Sequence, residues 1–247
     1  MRFFKKMLIL GLNIFNATKK TIINGFFFTK LVFHPTAIVE NKDFGSELDS
    51  DIAELLPVLF ILARLQNPKN LLELGTRGGE STKVLLKVCE LIGIVGRSVD
   101  LSPAPNWLDK KISWRHYVSD DINFAKDLKI KKVWPSGEKF VGIDFLFIDT
   151  SHYFSHTKQE LIEFWDLLNT GALIVFHDSN LSEKPNWMLS RKLNWGWNNK
   201  RGVTNAVEDF FSISISEEKF FVMLGSKEFE FLFNVPWNNG LLAIKKN

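Results

Sequence analysis

The chain has 247 residues, of which 45% are hydrophobic, which is enough for one sizeable globular domain with appendages. Its 31 basic residues against 28 acidic ones give a formal charge of +3, too balanced for a protein whose main task is to wrap nucleic acid. A single cysteine, Cys89, excludes an internal disulfide framework and any metal site built from several cysteines. The 8 tryptophans and 23 phenylalanines predict a thick core, an apolar surface or both.

The first 45 residues differ from the rest of the chain. Basic residues near the start precede an apolar run at residues 7–15, and a lysine pair then separates this run from Phe26–Phe28. A bilayer-spanning helix needs ~20 mostly apolar residues, and this stretch is too interrupted to supply them. Three interpretations stay open: a segment at a membrane interface or against a partner, a helix that covers the domain core, and a signal or anchor. In the first interpretation, residues 1–35 give an otherwise cytoplasmic protein a peripheral membrane contact.

A regular alternation of helix-like and strand-like stretches begins at residue 46. The apolar series after Ser46 predicts a helix that ends near Gln66, with Pro57 marking either an early kink or a late start. The strand-like runs that follow are 71–75, 96–101, 113–118, 145–149 and 172–178, and the helix-like stretches are 80–92, 122–128, 154–168 and 203–211. Two final apolar runs, 220–224 and 241–244, predict an antiparallel pair at the edge of the sheet.

This order of elements predicts the fold class. Strands that alternate with helices form crossover units and a mostly parallel sheet, with helices on both faces. Residues 179–201 break the alternation and predict a lid-like insertion. The sequence therefore predicts a doubly wound, Rossmann-like α/β domain over residues 46–247, preceded by a separate segment at residues 1–45.

The turn after the first predicted strand is the strongest single signal. Residues 71–82 read as a buried strand, a glycine-rich turn and a helix start whose free N–H groups can meet a ligand. Arg77 stands where a dinucleotide-binding turn has its second glycine, and the turn lacks the Gly-Lys-Ser/Thr of a phosphate loop. Glu73, just before the turn, is expected to point an anion into the pocket. An anion there disfavours a pyrophosphate and suits a cation such as the amino group of a sulfonium amino acid; a purely structural turn is the alternative.

Acidic residues end the next two predicted strands. Asp100 ends the second strand, where a carboxylate can accept both hydroxyls of a ribose. Asp120 and Asp121 end the third strand, where an acceptor could take the exocyclic amine of adenine. Aspartate also ends strands as an ordinary turn residue. Because ligands of open α/β sheets bind at these strand ends, the binding role is favoured.

The fourth and fifth predicted strands end in a second polar group. Asp149 and His152 follow one strand, and His177 with Asp178 follows the next. Two carboxylates and an imidazole, from Asp149, His177 and Asp178, predict a site for Mg²⁺, Mn²⁺ or Ca²⁺. His152 is the candidate general base, placed to take a proton from a hydroxyl whose pKa the cation lowers. The alternative is that both aspartates cap the following turns and that His152 is a solvated loop residue.

The predicted insertion combines aromatic and basic residues. It could form a substrate lid with aromatic platforms of the kind that bind sugars, or its tryptophans could pin a long loop to the domain. These residues are Trp187, Arg191, Lys192, Trp195, Trp197, Lys200 and Arg201. Of the other histidines, His156 is expected to be exposed on the helix after the site, and His116 is assigned no role.

The stretch from Glu73 to Thr82 resembles motif I of class I S-adenosylmethionine-dependent methyltransferases. It is similar in particular to the branch that contains macrocin-type sugar O-methyltransferases and cephalosporin-hydroxylase-like proteins. Segments 147–153 and 171–178 look like the later motifs of that branch, and residues 202–207 resemble its Gly-Val-x-x-Ala-Val helix start. The resemblance covers residues 46–247 and leaves the N-terminal segment unexplained.

The resemblance implies a fold and a cofactor. The fold is a three-layer α/β/α arrangement around a seven-stranded sheet with an antiparallel last strand, and the cofactor is S-adenosylmethionine. Glu73 and the glycines would hold its methionine part, Asp100 its ribose and Asp120 its adenine side. The cofactor-binding residues are accordingly Glu73, Gly75, Thr76, Gly78, Gly79, Ser81, Asp100 and Asp120.

The resemblance also bears on the metal. In the metal-dependent members, an aspartate at the position of Asp149 and an acidic pair after the fifth strand hold a divalent ion. A base lies three residues beyond the first aspartate, which matches His152. His177 departs from the pattern because those members carry a carboxylate there, and metal-free members use only a histidine base.

These observations predict an O-methyltransferase that moves a methyl group to a hydroxyl of a small molecule or glycan, with or without metal assistance. One alternative is an NAD-type oxidoreductase or epimerase on the same architecture. Another is a non-catalytic, membrane-tethered binding or assembly factor, which the apolar N-terminal segment suggests. Comparing the binding of S-adenosylhomocysteine with that of NAD distinguishes a methyltransferase from the first alternative. Cofactor binding without methyl transfer to any hydroxyl would indicate the second.

Overall fold

The computed structural model describes residues 52–247 except 54, 182–200, 217–219, 226, 237 and 238. The chain divides into two units, residues 1–48 and residues 49–247, and every described residue lies in the second. The predicted interfacial segment and nearly all of the predicted insertion thus lie outside the described residues. None of the helices in the described part of the chain combines the length and apolarity that crossing a bilayer requires.

The described residues form five α-helices and eight strands. The helices are α1 (Leu56–Gln66), α2 (Glu80–Ile92), α3 (Asp121–Lys131), α4 (Phe154–Phe164), which a 3₁₀ turn at Trp165–Leu167 follows, and α5 (Gly202–Phe211). The strands are β1 (Leu71–Leu74), β2 (Gly96–Asp100), β3 (Trp114–Val118), β4 (Ile143–Ile148), β5 (Leu168–His177), β6 (Phe221–Leu224), β7 (Phe229–Val235) and β8 (Leu241–Lys246). Pro57 lies in the first turn of α1, where its missing N–H has no intrahelical partner to lose. The late-start interpretation is therefore correct.

The strands form one sheet in the order β3-β2-β1-β4-β5-β8-β7-β6. The pairs among β1 to β5 are parallel, and β8 pairs antiparallel with β5. Parallel neighbours need crossover connections. Helix α2 connects β1 to β2, α3 connects β3 to β4 and α4 connects β4 to β5, whereas residues 101–113 connect β2 to β3 without a helix. This confirms the predicted Rossmann-like, mostly parallel sheet with an antiparallel last strand.

The sheet among the described residues has eight strands rather than the predicted seven. The extra strand is β7, which lies between the two final apolar runs and was not predicted. β8 lies between β5 and β7, so the predicted edge pair is wrong and β6 forms that edge. Residues Leu241–Ile244 are apolar without interruption because they lie inside the sheet and are buried.

Buried aliphatic and aromatic side chains fill the space between the sheet and its helices. Phe145, Phe147, Phe164 and Phe176 are fully buried, which confirms the thick aromatic core predicted from composition. Cys89 is buried in α2, as expected for a small apolar residue. Helix α1 packs on α2, while α4 packs on both α3 and α5. This packing therefore holds each strand in a fixed position within the sheet.

Candidate active site

The carboxyl ends of four neighbouring strands lie at one level. Leu74 pairs with Val99 on one side and with Ile148 on the other, and Ile148 pairs with Phe176. The next residue on each strand is therefore Gly75, Asp100, Asp149 or His177. Ligands of open α/β sheets bind at this edge. The register thus brings most of the predicted site residues to one place.

Gly75 permits the turn after β1 to touch the end of β4. Its φ of +84° is a left-handed conformation, and a Cβ there would lie 2.8 Å from the carbonyl carbon of Asp149 and closer still to its oxygen. The backbone N–H of Gly75 donates to Val99, and that of Asp149 donates to Leu74. The glycine-rich turn and Asp149 are therefore in direct contact.

Glu73 is buried behind this turn, against the start of α2. Its side chain is fully buried, and its two oxygens accept hydrogen bonds of 2.6 Å from the hydroxyls of Ser81 and Thr82 at the start of α2. Burial raises the pKa of Glu73 to about 8. The expectation of an anion aimed at the ligand is corrected: the carboxyl is largely neutral at pH 7 and ties β1 to α2. Sequence reasoning missed this because strand position alone does not give the direction of a side chain.

Replacing Glu73 by glutamine should flatten the pH dependence of stability. The unfolded carboxyl loses its proton near its ordinary pKa of 4.5, whereas the folded one keeps it to about 8. Between these values the unfolded state binds fewer protons, so Glu73 makes the wild type less stable as pH rises, by up to about 1.4 kcal/mol per pH unit. Denaturant unfolding of both proteins at several pH values should show a smaller slope for Glu73→Gln. Parallel curves would show that Glu73 titrates normally.

Asp100 fastens the loop after β2 to the turn after β1. Its Oδ2 accepts the backbone N–H of Thr76 at 2.7 Å and of Arg77 at 3.0 Å, and its Oδ1 accepts that of Ser102 at 2.8 Å. Partial burial alone would raise the pKa of Asp100, but these N–H donors hold it below its ordinary value. A carboxylate has about four acceptor positions, so one remains for a ligand hydroxyl.

His116, which the sequence analysis left without a role, joins the same loops. Its Nε2 donates to the carbonyl oxygen of Ser102 at 2.9 Å, and its Nδ1 lies 3.0 Å from the hydroxyl of Ser98 and 3.5 Å from that of Thr76. The histidine therefore supports the loops on both sides of Asp100. The search for acidic neighbours could not find it, because its partners are hydroxyl and carbonyl groups.

Trp107 is a second residue that sequence reasoning missed. Its indole N–H donates to the carbonyl oxygen of Gly78 at 3.3 Å, and its ring leaves no room for a Cβ on Gly79, whose φ is +85°. Lys83 lies 5.5 Å above the ring. The turn thus packs closely against the backbone of Asp149 at Gly75 and against the indole of Trp107 at Gly79. The contact depends on the course of the loop after β2, which the sequence does not show.

Asp120 acts as the N-cap of α3, since its side chain accepts the backbone N–H of Asn123 at 2.8 Å. The alternative considered for Asp120 was an ordinary turn residue, so this capping role was not predicted, and the adenine role stays a prediction. The neighbouring Asp121 turns away and lies 3.0 Å from Nε2 of His156. His156 is therefore partly buried against an acidic partner, which corrects the expectation of a solvent-exposed residue.

The predicted reaction group comes together after β4 and β5. Nε2 of His152 lies 2.9 Å from Oδ2 of Asp178. Nδ1 of His177 lies 3.1 Å from Oδ1 of Asp149 and 3.3 Å from the same Asp178 oxygen. Ligand atoms of Asp149, His152 and Asp178 lie within 4.8 Å of one another. We call these four residues, Asp149, His152, His177 and Asp178, the reaction cluster.

The charges of the reaction cluster depend on one another. Burial alone would lower the pKa of His177, but its hydrogen bonds to Asp149 and Asp178 raise it to about 10. Burial alone would raise the pKa of Asp178, but His152 and His177 hold it well below its usual range. His177 is therefore an imidazolium at neutral pH, held between two carboxylates. Its Nε2 and Oδ1 of Asp178 are buried and have no hydrogen-bond partner among the described residues.

The backbone around the reaction cluster is constrained. His152 and Asp178 both have left-handed conformations, with φ of 58° and 54°, which non-glycine residues seldom adopt. Helix α5 begins against this turn, because a Cβ on Gly202 would lie 2.9 Å from the backbone nitrogen of Phe154. The glycine that opens α5 thus has a packing reason, and α5 helps to hold the His152 turn in place.

Of the predicted insertion, only its two ends are among the described residues. The three tryptophans and the basic residues 191, 192 and 200 fall on residues 182–200, outside that part of the chain. Arg201 is described and buried, and its backbone N–H donates to the carbonyl oxygen of Leu181 at 2.9 Å. The two ends of the segment therefore meet. The proposed lid role stays a prediction.

A cavity of about 370 Å³ lies at the opposite ends of the strands. Gln66, Lys69, Asp144 and Asn169 are among its lining residues. Asp144 accepts backbone N–H groups of Lys69 and Asn70 there, and the amide of Asn169. These hydrogen bonds hold the loop between α1 and β1 in place. Because the cavity lies at the other end of the strands, it does not adjoin the reaction cluster.

Residues 72–179 match the model of a protein family described as a methyltransferase domain. The match begins in β1, ends just after β5, and includes the glycine-rich turn, Asp100 and the whole reaction cluster. The match covers fewer than half of the residues and agrees with the prediction of a methyltransferase domain. Curated proteins give no match to the chain.

Solved structures show the same fold at low sequence identity. An O-methyltransferase from Bacillus cereus in complex with SAH has 17% identity and a TM-score of 0.53, covering 87% of this chain and 97% of its own. The O-methyltransferase TomG from Streptomyces achromogenes, in complex with SAM, has 15% identity and a TM-score of 0.53, with coverage of 88% and 96%. The MycE methyltransferase of mycinamycin biosynthesis, in complex with Mg and SAH, has 14% identity and a TM-score of 0.54, with coverage of 87% and 53%. These likenesses bear out the predicted fold class.

Proposed function

We propose that this protein is an S-adenosylmethionine-dependent O-methyltransferase that acts on a hydroxyl group of a small molecule or a glycan. The observation that carries the proposal is the contact between Gly75 and Asp149 within the matched methyltransferase domain. Because the two segments touch, a cofactor seated on the glycine-rich turn has its reactive end beside the reaction cluster. The SAM and SAH complexes among the structural neighbours support this choice of cofactor.

The chain offers a cofactor cradle of the required chemistry. Gly75 and Gly79 let the turn pack against Asp149 and Trp107 at two left-handed positions, and this packing shapes a turn whose backbone N–H groups a ligand could meet. Asp100 would accept a ribose hydroxyl with its remaining acceptor position. Ser81 and Thr82 act indirectly, since both hydroxyls hold Glu73 beneath the turn. A methyl group bound to a positively charged sulfur is electrophilic, so the chemistry needs alignment and a base more than a nucleophile on the protein.

His152 is the proposed base. Its side chain is only 14% exposed, and Asp178, 2.9 Å away, fixes its ring and stabilises the imidazolium that forms when it takes the hydroxyl proton. Asp178 can do so because burial keeps its interaction with the ring strong. His177 places a positive charge on the other side of the two carboxylates. It thereby limits the repulsion between Asp149 and Asp178, and it would also stabilise an oxygen that becomes negative as its proton leaves.

The same residues support a finer proposal, metal assistance. Asp149, His177 and Asp178 would hold a divalent cation once Nε2 of His177 gives up its proton, and the cation would lower the pKa of a bound hydroxyl and help to orient it. Two buried atoms without partners, Nε2 of His177 and Oδ1 of Asp178, are consistent with an additional ligand in this group. The donor set of two carboxylates and an imidazole suits Mn²⁺ better than Ca²⁺. The Mg-containing MycE complex shares the fold.

Chelation tests the metal. If a divalent ion assists the reaction, EDTA should lower kcat at least about tenfold and Mn²⁺ should restore it, because a bound cation contributes several kcal/mol of charge stabilisation. The measurement is the initial rate of methyl transfer before chelation, after it and after readdition, with SAH binding as the control. An unchanged kcat after exhaustive chelation would leave the His177 imidazolium as the only cation in the reaction cluster.

The acceptor class follows from the resemblance and not from a described pocket. Motif I and segments 147–153 and 171–178 resemble the branch with macrocin-type sugar O-methyltransferases. This branch favours a glycosylated small molecule or a glycan as the acceptor. We expect the aromatic and basic residues of the insertion to contact it, with the N-terminal segment giving the protein a peripheral membrane contact.

A transfer assay with labelled S-adenosylmethionine tests the proposal. The enzyme is incubated with a panel of sugar, phenol and aliphatic hydroxyl acceptors, and label is sought in the product with wild type and Asp178→Asn in parallel. We expect transfer to a hydroxyl oxygen that Asp178→Asn lowers strongly. Binding of the cofactor without transfer to any acceptor would instead favour a non-catalytic member of the fold.

A further inference from the structure

Three ionisable residues outside the reaction cluster lie together between α3 and α4. Asp121 opens α3, while His156 and Glu160 lie one turn apart on α4. Nε2 of His156 is 3.0 Å from Oδ2 of Asp121 and 3.6 Å from Oε1 of Glu160. Ligand atoms of all three lie within 4.8 Å of one another. Cofactor binding and base catalysis, as proposed above, use none of these side chains.

The spacing matches the coordination shell of a small transition-metal ion. Zinc binds imidazole nitrogen and carboxylate oxygen at about 2.0–2.1 Å, so neighbouring ligand atoms of a tetrahedron lie about 3.3–3.4 Å apart. The two distances from His156 fall on either side of this value. One ion between the three side chains could therefore reach all of them with small rotamer adjustments.

Burial gives a second and independent indication. Glu160 is fully buried, and its Oε2 has no hydrogen-bond partner among the described residues. Its other oxygen accepts a hydrogen bond of 2.6 Å from the hydroxyl of Thr150. Two acidic groups, Glu160 and the nearly buried Asp121, thus face one imidazole in a space shielded from water. The carboxyl of Glu160 also bonds that of Asp121, and its buried Oε2 is an oxygen that a cation could bind.

The group is also accessible from one side. The side chain of His156 is 29% exposed, whereas those of Asp121 and Glu160 are 9% and 0% exposed. An ion could enter past the imidazole and keep one water as its fourth ligand, as in zinc sites with three protein ligands. Once bound, it would join α3 to α4.

We propose that Asp121, His156 and Glu160 form a divalent-cation site of the zinc class, separate from the reaction cluster. The site holds α3 and α4 together beneath the turn that carries Thr150, next to Asp149. Its ion would act on the reaction only through the position of this turn. This proposal stands on the geometry of the three residues and does not depend on the proposed function.

Zinc binding to the full chain tests the site once the reaction cluster is disabled. The background variant carries Asp149→Asn and Asp178→Asn, and zinc is measured by equilibrium dialysis and metal analysis after prior chelation. We expect one zinc per chain in this background and at least a tenfold weaker dissociation constant when Glu160→Gln or His156→Ala is added. Glu163→Gln is the matched control, because Glu163 lies on the same helix and its carboxylate pairs with Lys129.

The outcomes separate the possibilities. No zinc bound in the background variant, or equal affinity with Glu160→Gln and with Glu163→Gln, would overturn the proposal. If the additional substitutions prevent folding, crystals of the wild type soaked in zinc give the answer by anomalous scattering. A peak between Asp121, His156 and Glu160 supports the site, and a peak only at the reaction cluster, or none, overturns it.

Discussion

Replacing His152 by alanine should lower kcat by about 100- to 10,000-fold while the dissociation constant for S-adenosylhomocysteine changes by less than about twofold. The expectation follows from position. His152 lies after β4 and contacts Asp178, whereas the proposed cofactor cradle follows β1 and β2. Single-turnover rates and calorimetric titration of the same preparation measure the two quantities. Removal of a base takes away proton transfer but leaves the cofactor contacts in place.

The backbone at His152 requires a second variant. Its φ of 58° favours glycine and asparagine among replacements, so alanine adds strain to the loss of the imidazole. His152→Asn fits the conformation better and still lacks a base. Both variants should lose kcat to a similar extent. Substantial activity in the asparagine variant, or a parallel loss of cofactor affinity in both, would rule out His152 as the base.

Replacing Gly75 by alanine should destabilise the domain by about 2–5 kcal/mol and abolish measurable cofactor binding. A left-handed backbone costs a non-glycine residue about 1–2 kcal/mol, and overpacking adds typically 1–3 kcal/mol more. The added methyl group would overlap the backbone carbonyl of Asp149, which cannot rotate away. The turn and the end of β4 would have to separate, and both belong to the proposed site.

Gly171 offers a matched control for Gly75. Its φ of +79° is nearly the same as the +84° of Gly75, but a Cβ there would meet no atom within 4 Å. Gly171→Ala should therefore cost only the conformational part, about 1–2 kcal/mol, and leave cofactor affinity unchanged. Denaturant unfolding and calorimetry on both variants separate strain from clash. Equal effects of the two substitutions would mean that the contact between Gly75 and Asp149 has no special importance.

The fold was predictable because local patterns agree with the tertiary structure. Helix α2 occupies the predicted residues 80–92, since its apolar series, a glycine before it and a glycine after it all indicate the same boundaries. The reaction cluster was predictable for a related reason. Asp149 and His177 follow apolar runs that form adjacent parallel strands, and register then places their side chains together.

Other features depend on side-chain direction and on contacts between distant segments. Glu73 lies in β1, where all four residues are buried. The alternation of buried and exposed residues therefore could not show which way its side chain points. The contacts of His116 and Trp107 join segments that are 14 and 29 residues apart along the chain. Strand β7 was missed because its apolar residues, such as Phe231 and Leu232, do not alternate cleanly.

The correction at Glu73 changes the electrostatic account of cofactor choice. With that carboxyl largely neutral at pH 7, its charge does not discriminate against a pyrophosphate. Asp100 and Asp149 are partly exposed at the strand ends, where the proposed cofactor would bind. The proposal of a sulfonium donor therefore rests on the match to a methyltransferase domain and not on the charge of Glu73.

Calorimetric titration of the wild-type protein with S-adenosylhomocysteine and, separately, with NAD⁺ tests the central claim most directly. The account predicts one S-adenosylhomocysteine bound per chain with a dissociation constant in the micromolar range, and no measurable heat with NAD⁺. Binding of NAD⁺ together with no response to S-adenosylhomocysteine or S-adenosylmethionine would contradict it.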